Sequence, residues 1–247
     1  MKKRGQITLF IILGIFLVTI IVLTVYFRTS LLKEGETELQ KQLAMPAEIR
    51  EVRNQIQNCL EIVSEEGLIF LGLQGGYINT LMQSVYMDNF AIGYGYVDNE
   101  ITLPSMEEIQ LELGDYINQE IVECFTPEDY PSLEIKEYVP NTLVEFTENK
   151  VILSTEYRLD VSKDTDTYII ETPYNVDYDV RFKKIYQVSE KILQQIVTNP
   201  DTADIQSLLE LGMDINVYQV YDDVVYEVID DLSNVNGEEF YFMFAQG

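Results

Sequence analysis

Hydrophobic and polar positions divide this chain of 247 residues into a uniformly apolar start and a long, patterned remainder. Residues 7–27 carry no charge. At about 1.5 Å per helical residue they would form a helix roughly 31 Å long, which matches the hydrocarbon core of a bilayer. The pattern therefore predicts a transmembrane helix over 7–27, and the polar stretch with scattered leucines after it predicts a helical stalk over 28–45.

The remainder, 46–247, begins with helical periodicity. Apolar residues recur at three- and four-residue steps over 49–63, which predicts a helix that begins near Pro46 and ends at the glycines of 72–76. A second amphipathic helix is predicted after Ser105, because Ser105 and Glu108 have the spacing of a capping box. It should end before Pro127. Residues 81–97 are apolar and rich in tyrosine and glycine, and they fit neither period.

Apolar and polar residues alternate strictly over 151–161 and 174–182, which predicts antiparallel strands with one wet face. A helix is predicted over 185–196 and a short one near 205–209. Strands near 214–221, 224–232 and 238–245 should complete the sheet, the last of them in a central position because it is apolar on both faces. The predicted fold class is α+β: an N-terminal transmembrane helix and stalk, then an ectodomain of packed helices with an antiparallel sheet. Within 46–247, residues 46–130 form the helical part and 131–247 the sheet-rich part.

Charge sets the expected orientation. Lys2, Lys3 and Arg4 precede the apolar run, so the leader 1–6 is predicted to stay in the cytoplasm and the domain after the span to lie outside the cell membrane. All 42 acidic residues follow the span, and the net charge is −26. Such a domain repels phosphate backbones, so nucleic acid is not an expected partner. The expected partners are the lipid bilayer, through residues 7–27, and other envelope proteins.

The leader carries a resemblance to a known class of signal. The motif Lys2-Lys3-Arg4-Gly5-Gln6-Ile7-Thr8 resembles the archaeal class III signal peptide of type IV pilin-like proteins. The resemblance implies cleavage between Gly5 and Gln6 by a prepilin peptidase. The family usually has a glutamate at the fifth mature position, where this chain has Phe10. That departure argues against ordinary filament assembly.

A second resemblance extends further along the chain. The segment from Cys59-Leu60 through Leu71-Gly72-Leu73-Gln74-Gly75-Gly76-Tyr77-Ile78, with the ending Tyr241-Phe242-Met243-Phe244-Ala245, is similar to a set of single-span surface proteins of small-genome archaea. The resemblance implies the same single-span topology and no particular activity.

Candidate chemistry is limited by the absence of histidine. Ser-His-Asp and Cys-His nucleophile systems and zinc sites of the zincin type are thereby excluded. No catalytic and no cofactor-binding residue is predicted. The acidic pairs near 164–166, 222–223, 230–231 and 238–239 could bind calcium or magnesium through oxygen ligands, but none matches an EF-hand loop. The expectation is therefore no cofactor, with calcium or magnesium as the alternative.

Cys59 and Cys124 are the two cysteines, and both fall on apolar faces of predicted helices. They could be two small core residues that happen to be thiols. An exterior location favours a disulfide, which would stabilise the fold by roughly 4 kcal/mol in the chain-entropy model.

These patterns predict a single-pass, membrane-anchored cell-surface protein whose acidic ectodomain has a binding, envelope-structural or pilin-like role. The alternative is a surface enzyme that uses carboxylates or a divalent metal. An enzyme should show a deep cleft with converging carboxylates, whereas a binding protein should expose an apolar or tyrosine-rich patch.

Overall fold

The structure, a computed structural model, describes residues 45–78, 83–87, 90–170, 173–198 and 212–247. Among these residues the chain forms three α-helices: α1 (Ala47–Leu73), α2 (Met106–Cys124) and α3 (Phe182–Thr198). A single 3₁₀ turn, Pro127–Asp129, follows α2 in the same described part. Arg53–Gly247 forms one compact unit.

Strands make up 41% of the described residues. They are β1 (Ser84–Met87), β2 (Phe90–Val97), β3 (Glu100–Ile101), β4 (Glu134–Glu137), β5 (Asn141–Phe146), β6 (Val151–Glu156), β7 (Leu159–Lys163), β8 (Asp166–Ile170), β9 (Pro173–Tyr178), β10 (Asp214–Val220), β11 (Asp223–Val235) and β12 (Glu238–Gln246).

The described strands form three sheets. The large sheet has the order β1-β2-β12-β11-β10, with β3 paired to β2, and the two smaller sheets have the orders β4-β7-β8 and β5-β6-β9. Strands β2 and β12 run parallel, with Tyr94 opposite Ala245, and the other pairs are antiparallel. The final strand lies in the middle of the large sheet, as its two apolar faces predicted.

Both faces of the large sheet are covered by apolar side chains. On one face, Phe182 of α3 packs edge-on against Phe242, with ring centroids 5.5 Å apart, and Tyr226 stacks on Phe244 at 5.4 Å. A second cluster, which includes Val225 and Met243, is also buried. In an antiparallel pair these two residues lie on the opposite side of the strands from Tyr226 and Phe244. The helices and sheets are therefore held together by aromatic and aliphatic packing on both sides.

Local signals explain where α1 and α2 begin and end. The Ser105 hydroxyl accepts from the Glu108 amide at 3.3 Å and the Glu108 carboxylate accepts from the Ser105 amide at 2.8 Å, so the predicted capping box is confirmed. At the end of α1, Gly75 and Gly76 have φ of 75° and 91°, a region that glycine adopts without steric cost. The Gly76 amide donates to the carbonyl of Leu71 at 2.8 Å, which closes the helix.

Helix α2 covers an edge of the β5-β6-β9 sheet. The Gln110 side chain donates to the carbonyl of Val144 at 3.0 Å. A Cβ at Gly114 would lie 3.0 Å from the carbonyl oxygen of Thr142, so the missing side chain allows the helix to approach the strand. An open edge strand exposes unpaired backbone groups. Here the Gln110 side chain of α2 provides a hydrogen-bond donor for one of them, the carbonyl of Val144 in β5.

The predicted fold class is wrong in two respects. First, the domain is mostly sheet and not mainly packed helices. Second, its strands form three sheets instead of one, and the large sheet contains a parallel pair, so it is not purely antiparallel. The main reason is that residues 81–97 supply β1 and β2, whose glycines Gly93 and Gly95 break the apolar alternation by which strands are recognised. Strands β4 and β5 also lacked a clear alternation before Val151.

The predicted transmembrane helix, and with it the single-pass membrane protein, is contradicted as well. No helix of the described residues is long and apolar enough to cross a membrane. Helix α1 has 27 residues, but charged side chains such as Glu51 and Glu61 occupy its exposed positions. The stretch 7–27, from which the transmembrane helix was predicted, lies outside the described residues, as do positions 28–44 of the stalk.

Candidate functional site

The candidate residues predicted from the sequence do not come together in one site. Gly5 and Gln6, the predicted processing junction, lie outside the described residues. Cys59 of α1 and Cys124 at the end of α2 form a disulfide, with their Cα atoms 5.8 Å apart. Cys59 is buried and Cys124 is half-buried. The two cysteines are 65 positions apart in the sequence, so the bond fixes α1 to the end of α2.

The acidic pairs do not assemble into one site. Asp223 accepts from the Tyr94 hydroxyl at 3.1 Å, and Asp230 accepts from Arg181 Nε at 2.7 Å. Within the described ranges, no group of three or more histidine, cysteine, aspartate or glutamate side chains is arranged to hold a metal ion. Calcium or magnesium binding stays a prediction.

Arg181, Asp230 and Ser233 form a buried polar cluster that the sequence did not reveal. Asp230 also accepts from the Ser233 hydroxyl at 2.5 Å, and the Ser233 hydroxyl accepts from the Arg181 amide at 2.9 Å. The cluster exists because the pairing of β11 with β12 shifts register between Ile229 and Asn234, which places Asp230 against the residue that precedes α3.

The environment of this cluster stabilises the charged form of Asp230. Burial alone would raise the pKa of the Asp230 carboxyl. Hydrogen bonds from Arg181 and Ser233, together with the charge of Arg181, outweigh burial and hold this pKa below its usual value. The Asp230 side chain is 3% exposed and that of Arg181 is 18% exposed. The cluster offers a ligand almost no accessible atom, so it joins β11 to α3 and is not a binding site.

A concave groove lies between the end of α1 and β12, and we call it the α1–β12 groove. Its volume is about 210 Å³. The residues that line it come from α1, the end of β11 and the start of β12: Ile69, Leu73, Val235, Glu238, Glu239, Phe240 and Tyr241. Val235 and Phe240 are buried at its base, and the two glutamates are exposed at its mouth.

Two local features place these side chains together. A Cβ at Gly72 would lie 2.2 Å from the carbonyl oxygen of Tyr241, so helix α1 can lie against β12 because that position has no side chain. The β11–β12 turn is formed by Asn236 and Gly237, with φ of 51° and 88°, the conformation in which Asn-Gly joins two strands by a tight turn. The side-chain amide Nδ2 of Asn236 also donates to the carboxylate of Glu65 in α1. The helix and the turn therefore hold the two sides of the groove.

The mouth of the groove is strongly negative. The Tyr241 hydroxyl donates to Glu239 at 3.2 Å. Burial raises the pKa of Tyr241, and the hydrogen bond to Glu239 and the charges of Glu239, Glu227 and Glu238 raise it further. Glu227 in turn accepts from the Tyr218 hydroxyl at 2.8 Å. No lysine or arginine is among the described residues that line the groove. The groove thus combines an apolar base with an aromatic and acidic mouth.

The tyrosines divide between the core and the surface. Tyr157, Tyr174 and Tyr226 are almost fully buried, whereas Tyr86 and Tyr221 are largely exposed. Burial raises the pKa of Tyr174 above its ordinary value, and its hydroxyl has no hydrogen-bond partner among the described groups. The buried rings are core residues.

Comparisons of the chain with protein families, with curated proteins and with solved structures gave no match. The site must therefore be interpreted from its own geometry. The sequence analysis identified one part of the groove, Glu238 and Glu239, as candidate ligands of a cation. It gave no signal for the part contributed by Ile69 and Leu73, because nothing in a local pattern shows which strand the end of a helix will meet.

Proposed function

We propose that this protein is a binding protein of the cell exterior, in which the α1–β12 groove receives a small apolar group of its ligand. One observation carries this proposal: buried Val235 and Phe240 form the base of a groove of about 210 Å³ that opens between exposed side chains. Concave apolar surfaces with a few polar groups at the edge are where proteins bind ligands.

An exterior location is supported by the disulfide between Cys59 and Cys124. Disulfides persist in oxidising compartments and are rare where glutathione and thioredoxin keep thiols reduced. The acidic surface is compatible with that location, since it gives solubility and repels polyanions.

Binding is favoured over catalysis by the arrangement of the carboxylates at the groove. Glu238 and Glu239 are neighbours on one strand, and successive side chains of a strand point to opposite faces. The two carboxylates therefore border the groove from different faces of β12, whereas a catalytic acid and base must both reach the reacting atoms. The envelope-structural and pilin-like roles depend on residues 1–27 and remain predictions.

The binding role can be tested with a variant that fills the groove. Ile69→Phe should occupy part of the space, whereas Ile62→Phe places the same ring two helical turns earlier on α1, at a position that is 46% exposed and outside the groove. A set of small neutral, cationic and anionic compounds with short apolar chains is screened against the full chain by ligand-observed NMR. We expect at least one compound to bind wild type and Ile62→Phe equally and to lose binding in Ile69→Phe.

If no compound binds, or if Ile69→Phe binds as wild type does, the groove is not a ligand site. Thermal unfolding of both variants checks that they fold. The location is tested separately by acid quenching of intact cells and alkylation of free thiols. Recovery of the chain with both Cys59 and Cys124 alkylated would contradict an exterior location.

A further inference from the structure

The α1–β12 groove has a size and charge that narrow the class of its ligand. This inference rests on the binding function proposed above. Pockets for whole small molecules usually have volumes of about 300–1,000 Å³. At about 210 Å³ and open to the surface, the groove is closer to the size of one side chain than to that of a whole cofactor. A side chain of a partner protein is therefore the occupant that its volume favours.

Charge decides which side chain fits. Glu238 and Glu239 are exposed at the mouth. The negative charge of Glu227 is also felt at Tyr241, whose pKa it raises together with the charges of the other two glutamates. No basic residue lines the groove in the described part of the chain. An acidic side chain would be repelled here, and a neutral apolar one would leave the carboxylates without a counter-charge. A basic side chain satisfies both regions, because its apolar stem can lie on the base while its charged end reaches the carboxylates.

The aromatic ring at the mouth favours the same ligand. Tyr241 is half-buried, lines the groove and donates its hydroxyl to Glu239 at 3.2 Å. The face of a tyrosine ring attracts a lysine or arginine cation placed within about 6 Å. The ring, the carboxylates and the apolar base are three features that a basic side chain uses together.

We propose that the α1–β12 groove binds a lysine or arginine side chain displayed on the surface of a partner protein. The stem of that side chain lies against Val235, Phe240 and the α1 residues, and its cation pairs with Glu238 or Glu239. The net charge of −26 increases the rate at which such a basic partner meets this domain.

The proposal is tested with capped tripeptides, Gly-Lys-Gly and Gly-Arg-Gly, titrated into the isotopically labelled full chain and followed by the NMR shifts of groove residues. Gly-norleucine-Gly has a similar stem without the charge. We expect the two basic peptides to bind about tenfold more tightly than the norleucine peptide, from one exposed ion pair and one cation–π contact. Added salt should reduce that preference.

Matched variants separate the groove from the general charge of the protein. Glu238→Gln with Glu239→Gln should remove the preference for the basic peptides. Glu145→Gln with Glu156→Gln removes the same charge from exposed positions of β5 and β6 and should leave the preference unchanged. Equal loss in both double variants would show that attraction is non-specific and would overturn the proposal.

The remaining outcomes separate an incorrect ligand from an incorrect binding function. If norleucine binds as tightly as lysine in the groove, the basic ligand is wrong while the binding function stands. If free butylammonium binds and neither basic peptide does, the ligand is a small amine and the partner protein is wrong. If nothing shifts the groove residues, and the compound screen with Ile69→Phe is also negative, both proposals fail.

Discussion

Removal of the Asp230 carboxylate is expected to destabilise the domain strongly. Asp230→Ala takes away the acceptor for Arg181 Nε at 2.7 Å and for the Ser233 hydroxyl at 2.5 Å, and also the ion pair with Arg181 Nη2. The guanidinium is then left at an 18% exposed position without its counter-charge. Breaking a buried pair costs about 3–5 kcal/mol. Because Arg181 can still reach some water, we expect the low end, about 3 kcal/mol.

Urea unfolding of the full chain and a double-mutant cycle measure this effect. Arg181→Met alone should also cost several kcal/mol, since it leaves Asp230 charged at a 3% exposed position. Together the two substitutions should cost clearly less than their sum, because neither charge then remains unpaired. Asp177→Ala serves as the control, because it removes a carboxylate from an exposed ion pair with Lys150. We expect this variant to change the urea midpoint of unfolding very little. A loss below about 1 kcal/mol for Asp230→Ala, or strictly additive single effects, would refute the reasoning.

The same cluster makes stability depend on pH in a defined direction. The folded-state pKa of Asp230 lies below its unfolded value. Burial raises this pKa, but the hydrogen bonds from Arg181 and Ser233 and the positive charge of Arg181 lower it by more. Its contribution is complete above the unfolded pKa, about 4, and is lost as pH falls through the folded pKa. Wild type and Asp230→Ala should therefore approach one another in stability in acid, and a constant difference down to low pH would contradict this.

Changes at the ends of the helices and in the contacts between them should lower the free energy of unfolding by defined amounts. Reducing the bond between Cys59 and Cys124 should cost about 4 kcal/mol of unfolding free energy, because it releases a long loop in the unfolded chain. Gly72→Ala should cost at least about 2 kcal/mol, since its Cβ would lie 2.2 Å from a backbone oxygen that a side-chain rotation cannot move. Ser105→Ala should cost about 1 kcal/mol through loss of the N-cap. Hydrogen bonds from Ser105 lower the pKa of Glu108, so the carboxylate's share of the capping box should be lost in acid as pH falls through that pKa, while the bond to the Ser105 hydroxyl remains.

Each of these predictions has a matched control in unfolding experiments. A protein with both cysteines replaced by serine should not respond to reductant. Gly67→Ala places its Cβ against movable side chains of α2 and should cost less than Gly72→Ala, although both lie in α1; equal losses would contradict the backbone explanation. Ser105→Thr keeps the cap and should remain close to wild type.

Helices and their ends could be predicted from the sequence because their signals are local. The apolar steps of α1 and α2 and the capping box of Ser105 and Glu108 involve residues three or four apart. The closing strands were also predicted near their observed bounds. In the structure the tight turn of Asn236 and Gly237 separates the last two of them.

The division of the strands between sheets could not be predicted in the same way. The alternation over 151–161 predicted one strand, but the chain leaves β6 at Glu156 and enters β7, in another sheet, at Leu159. Tyr157 lies between them and is 1% exposed, so the alternation of buried positions continues through the break. Burial alone therefore gave no sign that the chain changes sheets.

The candidate site was even less accessible to sequence reasoning. The groove joins Ile69 and Leu73 to residues of β12 far along the chain, and their contact depends on the missing side chain of Gly72. The cluster of Arg181 and Asp230 depends on a register shift that no composition rule reveals. In both cases the decisive event is the meeting of distant segments.

The position of β12 has a consequence for the order in which the chain folds. Its neighbours are β11, which precedes it directly, and β2, whose Tyr94 lies opposite Ala245. Until β12 is available, β2 and β11 each expose an edge that has no partner within the large sheet, and contacts between such distant segments form slowly. Strand edges that lack a partner can pair with other chains, so we expect the chain to be most prone to aggregation before β12 is in place. A truncation within β12 would divide the sheet in its middle, so the shortened chain should fail to fold instead of losing one peripheral strand.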